Sequence, residues 1–423
     1  MTAREAGAGY RLLAAKASAT RALSRLLAPA LLLLLGAARR TIWRRAKVIA
    51  VVGSFGKTMS AHAIAAALGL PLTWWSRTGR NAYSSVALNA IWQLARSGPA
   101  VIEVGIGSPG QMARYARALR PDVVVLTGLG TDHLPRFRDR DHLWSEKARM
   151  LEALREGGVV VFNADDENAI ERARAAAATR RLGFGFGERA EVRGLGWRSQ
   201  PDLGSTLTVA VGSRHFELRS RLATATACRS LLAGLAVSVA VGWDLDAAVE
   251  GLGSVEPAAG RLEPRRLPSG AVVVNDQYKA SLETVLAALS DFVELPARRR
   301  LVLLGELETP PDGRRSYRQV GDRLAHGIDR ILVVGVGSSR FQVYRAAARR
   351  AGLDPQRLEP VADLEEAIAR LRAELGDGDL LLIKGRSSQR LERVTEALAG
   401  IEVSCRLPSC GLDLMPCERC PLL

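Results

Sequence analysis

Residues 47–58 read Lys47-Val-Ile-Ala-Val-Val-Gly53-Ser-Phe-Gly56-Lys57-Thr58, an apolar run that passes directly into a glycine turn closed by Lys and Thr. A buried strand followed by such a turn predicts a phosphate-binding loop at the start of a helix. Glycines let backbone N–H groups face an anion, the lysine ammonium reaches the outer phosphates, and the threonine hydroxyl binds Mg²⁺. We therefore expect a nucleoside triphosphate to bind Gly53, Ser54, Gly56, Lys57 and Thr58.

The spacing of this loop leaves a second interpretation open. The usual phosphate loop has its first glycine at the position of Val51, whereas the first glycine here is Gly53. Glycine turns between a strand and a helix also occur for structural reasons alone. The loop therefore needs support from motifs elsewhere in the chain.

Length and charge limit the class of protein. The chain has 423 residues, which is enough for two or three domains, and 48% of them are hydrophobic, as in a globular protein. The net charge is +15, but residues 1–47 hold ten Lys or Arg and one acid, Glu5. Because most of the positive charge lies in this arm, we expect no nucleic-acid partner.

The N-terminal arm, residues 1–46, also contains an apolar segment. Leu26–Ala38 holds thirteen uncharged residues between Arg25 and Arg39, fewer than the roughly 20 that span a bilayer. Its basic flanks suit an anionic cytoplasmic leaflet. We expect a membrane-surface anchor, with an arm that packs on the body or is disordered as the alternatives. Because the phosphate loop follows directly, a secretory signal is disfavoured and a cytoplasmic location is expected, at the inner face of the membrane if the arm binds there.

Strand-like and helix-like segments alternate along the first half of the chain. The strand-like runs are Val48–Val52, Ala100–Val104, Asp122–Leu126 and Val159–Phe162, and the helix-like stretches are Ala61–Leu68, Gln111–Leu119 and Leu143–Leu154. This pattern predicts a mainly parallel sheet covered by helices on both faces. Ligands of such sheets bind at the carboxyl ends of the strands. The polar segments that follow the four runs are Gly53–Thr58, Glu103, Thr127–His133 and Asn163–Asp166.

A second α/β pattern begins after Pro257. Its strand-like runs are Ala271–Val274, Leu301–Leu304, Ile331–Val334 and Leu380–Ile383, and helix-like stretches separate them. We expect an arm (residues 1–46), a central ATP-binding domain (47–257), a C-terminal domain (258–400) and a Cys-rich tail (401–423).

Eight short motifs occur in one order along residues 47–398. They are Gly53-Ser-Phe-Gly-Lys-Thr58, Ile102-Glu103-Val-Gly105, Thr127-Gly-Leu-Gly-Thr-Asp-His-Leu134, Ser145-Glu-Lys147, Asn163-Ala-Asp-Asp166, Gly260-Arg-Leu-Glu263, Asn275-Asp-Gln-Tyr278 and Lys384-Gly-Arg-Ser387. Together they resemble the Mur ligase family, and within it the members that add D-alanyl-D-alanine. The family's phosphate loop has a similar short form.

The resemblance implies an α/β fold with a P-loop-containing central domain and a C-terminal Rossmann-like domain. It also implies an ATP-dependent ligase that forms an amide bond through an acyl phosphate, on a peptidoglycan precursor or a related peptide. The donor would be a small-molecule or lipid-linked peptide, and the acceptor an amino acid or dipeptide. A ligase of a polymer such as poly-γ-glutamate and a scaffold that has lost catalysis remain alternatives. A GTPase is disfavoured because the chain has no Asn-Lys-x-Asp motif.

The resemblance also implies roles for four catalytic residues, Lys57, Glu103, His133 and Lys147, and for the metal ligand Thr58. Lys57 would neutralise the phosphates, Thr58 and Glu103 would hold one Mg²⁺, and Glu103 and His133 would reach a second. Lys147 matches the family lysine that reacts with carbon dioxide to form a carbamate, which would help to bind the second metal ion. The structural alternatives are a capping carboxylate for Glu103, a plain loop histidine for His133 and an ion-paired helix lysine for Lys147.

Further residues match the nucleotide and acceptor sites of the family. Asn163 would read adenine, and Arg261 and Asp276 would close over ATP. A second set would lie on the acceptor side: Lys384, Arg386 and Ser387. Each of these residues could instead cap a turn.

The sequence departs from the family pattern at several positions. The expected Gly-x-His-Asn reads Ala227-Cys-Arg-Ser230, and Lys279 follows Tyr278 where Asn or His is expected. The 46 residues before Lys47 leave no room for the family's sugar-nucleotide-binding domain, so we expect recognition of a UDP group to differ.

The tail carries four cysteines in a C-x4-C-x6-C-x2-C spacing: Cys405, Cys410, Cys417 and Cys420. Four thiolates could bind Zn²⁺ in a structural site. A reduced, unstructured tail and a redox pair are the alternatives.

Overall fold

The computed structural model describes residues 7–96, 98–132, 134–200, 203–308, 310, 312–412 and 415–423, without the side chains of residues 7–9. The chain divides into two compact units. The first unit is Arg21–Glu256, and the second unit is Pro257–Leu423 together with the chain up to Thr20.

The first unit is an α/β structure built on an eight-stranded sheet. Its strands are β1 (Val48–Val52), β2 (Ala100–Glu103), β3 (Val123–Leu126), β4 (Val159–Asn163), β5 (Arg180–Gly185), β6 (Val192–Ser199), β7 (Ser205–Val211) and β8 (Arg214–Ser220). The helices up to Glu256 are α1 (Gly7–Arg40), α2 (Lys57–Ala67), α3 (Trp74–Arg77), α4 (Ser84–Leu94), α5 (Gln111–Leu119), α6 (Arg140–Ala148), α7 (Glu167–Ala175), α8 (Ala225–Val241) and α9 (Leu245–Gly253).

The strand order of this sheet is β2-β1-β3-β4-β5-β6-β7-β8. Strands β2 to β6 pair in parallel, and β6, β7 and β8 pair antiparallel. Every residue of β1 is buried, as expected for a strand with helices on both faces. The register places Val51 beside Glu103 and Val52 beside Leu126. The carboxyl ends of β1, β2 and β3 therefore meet at one edge, where polar segments follow them.

The four predicted strands of this region are confirmed, whereas the parallel strand β5 was not predicted. All four apolar runs are strands, and Gln111–Leu119 is helix α5 with the predicted bounds. The stretch predicted as one helix over Leu143–Leu154 is instead α6 followed by a 3-10 turn at Leu151–Ala153. The antiparallel strands β6 to β8 were not predicted. Their inward and outward positions alternate, so they lack the continuous apolar run that identifies a strand buried on both faces.

The second unit contains a six-stranded sheet in the order β13-β12-β11-β14-β10-β9. Its strands are β9 (Glu263–Arg266), β10 (Val272–Asp276), β11 (Arg299–Leu304), β12 (Arg330–Val334), β13 (Leu358–Val361) and β14 (Asp379–Lys384). Its helices are α10 (Leu282–Val293), α11 (Gly313–Leu324), α12 (Ser338–Arg350), α13 (Leu364–Glu374) and α14 (Glu392–Leu398). Among the described strands of this second sheet, only the edge strand β9 pairs antiparallel. The predicted Rossmann-like class of this region is confirmed.

Helix α1 is longer than the apolar segment predicted inside the arm. It has 34 residues, continues through Pro29 and ends at Arg40. Among the described residues it is the one helix that is long and apolar enough to cross a membrane, and 22% of its apolar window is buried. Leu32 and Leu35 join the core of the first unit. This part of the arm therefore packs on the body, which was one of the alternatives.

Candidate active site

The predicted phosphate loop lies between β1 and α2. Gly56 caps the amino end of α2 in the left-handed conformation, with φ of 77°, so the loop amides and the positive end of the helix dipole lie together. The Lys57 ammonium donates to the carbonyl of Gly53 across 3.0 Å. The Ser54 amide donates to the carbonyl of Gly128 across 2.6 Å, which ties the loop to the segment after β3.

Gly53 is required by close packing as well as by its backbone conformation. Its φ is 154°, and a Cβ atom at this position would lie 2.2 Å from Oγ1 of Thr127. Thr127 in turn donates from Oγ1 to the carbonyl of Phe55 across 2.6 Å. Only glycine therefore fits at position 53. Thr127, which packs against it, also fixes the loop through its hydrogen bond to Phe55.

Glu103 at the end of β2 is buried and engaged through both carboxylate oxygens. Thr58 donates from Oγ1 to Oε2 across 3.0 Å, and Asn81 donates from Nδ2 to Oε1 across 2.6 Å. A hydroxyl and a carboxylate beside a phosphate loop are hard oxygen ligands of the kind Mg²⁺ prefers. The structure thus brings together Thr58 and Glu103 as predicted. His133 lies outside the described residues.

Lys147 on α6 is buried, with only 2% of its side chain exposed. Its ammonium lies 2.6 Å from Oδ1 of Asp132 and donates to Oγ of Ser54 across 2.7 Å. The structural alternative was an exposed helix lysine paired with Glu146 or a neighbouring acid. The lysine is ion-paired with Asp132 but is buried, and Glu146 instead pairs with Arg149 and accepts from the Met112 amide. The lysine is therefore held at the phosphate loop by a contact that spans 93 residues of chain.

Asn163, the residue expected to read adenine, is buried at the end of β4. Its amide donates to the carbonyl of Thr127 across 3.0 Å and accepts from the Asp165 amide across 3.1 Å. An amide group has two donors and two acceptor positions, so each atom retains capacity for one more partner. The side chain is fixed in orientation and remains able to bind a heterocycle.

Arg229 occupies the place where the family pattern has histidine. Its Nε lies 3.1 Å from Oδ2 of Asp165, and its guanidinium stacks over the Phe186 ring. Burial would raise the pKa of Asp165, but the amides of Phe186 and Gly187 and the charge of Arg229 lower it overall. The arginine at this position is therefore held by an ion pair and a ring contact.

In the second unit, the parallel register places Asp276 beside Lys384. The Lys384 ammonium is buried, lies 2.9 Å from Oδ2 of Asp276, and also donates to the carbonyls of Asp276 and Lys279. Burial lowers the pKa of Lys384, and the Asp276 carboxylate opposes this shift. Both residues lie at the carboxyl ends of their strands, the edge at which such sheets bind ligands.

Three other predicted residues lie in the same unit. Arg261 stacks over the Tyr278 ring at 4.0 Å from its centroid. Arg386 pairs with Glu306 across 2.5 Å, and Ser387 begins a 3-10 turn at Ser387–Gln389. Because Tyr278 comes two residues after Asp276, the last residue of β10, Arg261 lies at the same strand end as the Asp276–Lys384 pair.

The cysteine tail is packed against α14, so the unstructured alternative is wrong. Two buried arginines hold it: Arg390 donates to the carbonyls of Leu412 and Met415, and Arg393 donates to those of Cys405 and Leu407. The four tail cysteines line one cavity of about 20 Å³.

The zinc prediction for Cys405, Cys410, Cys417 and Cys420 is not supported. Among the described residues, no three or more His, Cys, Asp or Glu side chains are placed to hold a metal ion together. All four are free thiols. Burial raises the pKa of the Cys417 thiol, which favours the protonated form over the thiolate that zinc requires.

Two residues of this site were not singled out from the sequence. Asn81 lies in the loop between α3 and α4, and it reaches Glu103 across 22 positions. Asp132 lay within the quoted Thr127–Leu134 motif without an assigned role. The only available signal was the presence of a polar residue in a loop, which is too common to identify a partner.

The sequence of this chain matches known families over both units. The family described as Mur ligase middle domain matches residues 51–238, and the family described as Mur ligase, glutamate ligase domain matches residues 260–387. The UDP-N-acetylmuramoyl-tripeptide--D-alanyl-D-alanine ligase of Escherichia coli is 27% identical over 379 residues, which cover 84% of this chain and 77% of that protein.

Solved structures show the same fold. MurF from Acinetobacter baumannii superposes with a TM-score of 0.73 at 22% identity, over 86% of this chain and 79% of that one. MurF from Thermotoga maritima in complex with ADP gives a TM-score of 0.72 at 20% identity, over 87% of this chain and 83% of that one.

Proposed function

Because this chain belongs to the Mur ligase family, we propose that it is an ATP-dependent ligase that joins an amine to a carboxylate on a peptidoglycan-precursor peptide. The observation that carries the proposal is the buried Glu103 carboxylate, held by Thr58 and Asn81 directly beside the phosphate loop. A carboxylate is a poor electrophile, and ATP supplies the leaving group that makes it reactive. The reaction belongs in the cytoplasm, where ATP is available.

We assign ATP binding to the loop amides of residues 53–58, to Lys57 and to Asn163. The fit is supported by the left-handed Gly56, which places the loop amides at the amino end of α2, where an anion is favoured. Gly53 supports the loop conformation itself, because a Cβ there would collide with Thr127. The Lys57 ammonium now donates to the Gly53 and Ser54 carbonyls. A triphosphate would offer it stronger, charged acceptors at the same place.

Thr58 and Glu103 are suited to hold Mg²⁺, and we assign His133 and a carbamate of Lys147 to a second ion. The donor set of hydroxyl and carboxylate fits the preference of this cation for oxygen. When bound, Mg²⁺ would neutralise charge on the phosphates. Carbamate formation requires the Lys147 ammonium to lose one proton, its nitrogen to bond to the carbon of CO₂, and the nitrogen then to lose a second proton, so that a cation becomes an anion. Asp132, now 2.6 Å from the ammonium, would then repel the carbamate unless it moved away.

The proposed reaction has two steps. An oxygen of the donor carboxylate attacks the γ-phosphorus of ATP, the bond to the β–γ bridging oxygen breaks, and ADP leaves. The acceptor amine then attacks the acyl carbon, phosphate departs with the donor's oxygen, and the amine loses a proton. Lys57 would offset the charge that accumulates when a carboxylate approaches a triphosphate.

The second unit supplies the remaining assignments. We assign Arg261 and Asp276 to the nucleotide, and Lys384, Arg386 and Ser387 to the acceptor. The buried Lys384 is held in a fixed position by Asp276. A residue that orients a substrate must itself be fixed in this way. The residue after Tyr278, Lys279, adds a cation at the same strand end.

Our proposal for the substrates rests on the relatives. The E. coli relative is a ligase of UDP-N-acetylmuramoyl-tripeptide and D-alanyl-D-alanine, and we propose a D-amino-acid dipeptide as the acceptor here. The donor is a muramoyl peptide that carries either UDP or a lipid. We also propose that the enzyme works at the inner face of the cytoplasmic membrane, which the arm supports through its basic and leucine-rich composition.

The test is phosphate release by the purified full chain with Mg·ATP, D-alanyl-D-alanine and either a UDP-linked or a lipid-linked donor. Release should require both donor and acceptor. With ¹⁸O in the donor carboxylate, one labelled oxygen should appear in the phosphate. Protein that binds ATP and releases no phosphate with any donor would instead support the scaffold alternative.

A further inference from the structure

Helix α1 has two opposite faces in the segment that packs on the first unit. One face consists of Ala28, Leu32, Leu35 and Arg39, all buried. These positions recur every three or four residues, so they form one stripe along the helix. Leu32 and Leu35 join the core cluster of the first unit, and Gly36 lies against Ala118 of α5, since a Cβ there would be 3.5 Å from Cα of Ala118.

Arg39, the last residue of this buried stripe, bonds helix α1 to the first unit. It is 2% exposed and donates to the carbonyls of Leu119, Trp43, Ala46 and Arg120. It also lies 3.4 Å from Oδ2 of Asp122. Pulling this guanidinium out of the protein would leave several buried carbonyls without donors, which is costly. The helix therefore remains on the body when the arm meets another surface.

The opposite face is a continuous apolar surface, which we call the leucine face. It consists of five exposed leucines: Leu23, Leu26, Leu27, Leu33 and Leu34. The small exposed residues Ala30 and Ala37 lie between and beyond them. Leu26 and Leu33 are each 76% exposed, and the face is about 20 Å long at 1.5 Å per residue. Such a row of large apolar side chains indicates an interaction surface.

The charge around this face identifies the kind of partner. Residues 6–102 contain no Asp or Glu, whereas they contain 13 Lys or Arg. Arg25, Arg40, Arg44 and Arg45 flank the leucine face and are exposed. Leucines bordered by arginines, with no acid in the same stretch of sequence, match an anionic phospholipid surface, in which acyl chains receive the leucines and headgroups receive the guanidinium groups.

We propose that α1 lies in the plane of an anionic membrane, with the leucine face in the lipid and the opposite face on the body of the protein. A helix whose inner face is occupied by its own protein cannot be surrounded by lipid, so α1 does not span the bilayer while it is docked. This places the first unit against the cytoplasmic leaflet and favours a lipid-linked donor. It rests on the proposed membrane location of the ligase and does not depend on its chemistry.

The first experiment is flotation of the full chain with vesicles of phosphatidylcholine alone or with 30% phosphatidylglycerol. We expect binding to the anionic vesicles and a loss of at least about tenfold in partition coefficient for L26E/L33E. Leu195→Glu is the matched control, because Leu195 is an exposed leucine on β6, and it should bind like the wild type. Equal binding of L26E/L33E, or no binding by the wild type, would overturn the proposal.

The second experiment measures depth. An environment-sensitive fluorescent amino acid at position 26 or 34 should report the same shallow depth with quenchers along the acyl chain. A spanning helix would place the two probes about 12 Å apart in depth, and that result would rule out the in-plane orientation. Sedimentation of the protein without vesicles tests whether a second copy of the chain covers the leucine face. If the wild type is a dimer and L26E/L33E is a monomer, the face serves self-association and the membrane proposal is overturned.

Ligase activity is measured separately on the same variants with the UDP-linked donor. Because no residue of the leucine face belongs to the proposed active site, L26E/L33E should retain wild-type turnover on this soluble donor. If the wild type shows no turnover with any donor, the proposed ligase function is refuted, and the flotation result is unaffected.

Discussion

Asn81 donates from Nδ2 to Oε1 of Glu103 across 2.6 Å, and this bond fixes the carboxylate that we assign to Mg²⁺. Thr58 holds the other oxygen, so the carboxylate has one orientation before any ligand arrives. A residue that orients a metal ligand in this way commonly contributes 10- to 100-fold to metal affinity or activity.

Substitution of Asn81 by Ala should therefore lower turnover by about 10- to 100-fold and shift the Mg²⁺ dependence to higher concentration. Steady-state rates over a Mg²⁺ titration would measure this. Asn168→Ala on α7 is the matched control. An unchanged Mg²⁺ dependence in Asn81→Ala would show that Asn81 does not act through Glu103.

Replacement of Lys147 by Ala should abolish turnover, because neither the ammonium nor a carbamate can then form. Short-chain carboxylic acids added to this variant should restore part of the activity by occupying the place of the carbamate. Lys147→Arg should not respond to them, since a guanidinium would fill the site and cannot be carbamoylated. ATP binding by each variant checks that the fold survives, and full activity of Lys147→Ala would remove the carbamate from the mechanism.

Gly53→Ala should weaken ATP binding by about 100-fold or more, because the new Cβ would collide with Oγ1 of Thr127 at 2.2 Å. Isothermal titration calorimetry with Mg·ATP would measure the change. Gly196→Ala is a suitable control, since a Cβ there meets nothing within 4 Å. Wild-type affinity in Gly53→Ala would mean that the loop does not bind phosphate in this conformation.

The Asp276–Lys384 pair should make the stability of the second sheet depend on pH. Burial holds the pKa of Lys384 below its usual 10.5, with Asp276 opposing the shift. The unfolded chain then binds this proton more tightly than the folded chain, so the free energy of unfolding should rise as pH increases through the window that ends at 10.5. Hydrogen exchange at the β10 and β14 amides, measured over a range of pH, would report this change in the free energy of unfolding.

Lys384→Met should remove that part of the pH dependence. Asp276→Ala should instead lower stability by about 3–5 kcal/mol, because it leaves a buried ammonium without its carboxylate. A pH profile that is identical in the wild type and Lys384→Met would show that the lysine does not titrate in this range.

Arg393→Met should release the cysteine tail from α14. Arg393 is buried and donates to the carbonyls of Cys405 and Leu407 across 2.9 and 2.7 Å, so its loss should cost about 2–4 kcal/mol. The tail thiols should then react faster with a thiol reagent. Arg406→Met, at an exposed position in the same segment, should leave the rates unchanged, and equal rates in both variants would show that Arg393 does not hold the tail.

Prediction from the sequence succeeded where the relevant residues are contiguous. Eight parallel strands, β1 to β4, β10 to β12 and β14, were identified because burial on both faces demands continuous apolar runs, as in β1 and β14. The parallel strands β5 and β13 were missed, because exposed or half-buried residues interrupt them. The phosphate loop was identified because Gly53, Lys57 and Thr58 lie within six positions. The antiparallel strands β6 to β8 were missed because their alternating pattern is weaker.

The sequence alone therefore determined the family, the two α/β units and the glycine turn between β1 and α2, because each depends on local periodicity or on residues that are neighbours in the chain. Tertiary structure alone decided that Asn81 orients Glu103, that Asp132 pairs with Lys147, and that the tail cysteines pack as free thiols. It also decided which side of α1 faces outward. These outcomes depend on contacts between segments distant in sequence, and a buried polar group takes whichever partner packing brings within about 3 Å.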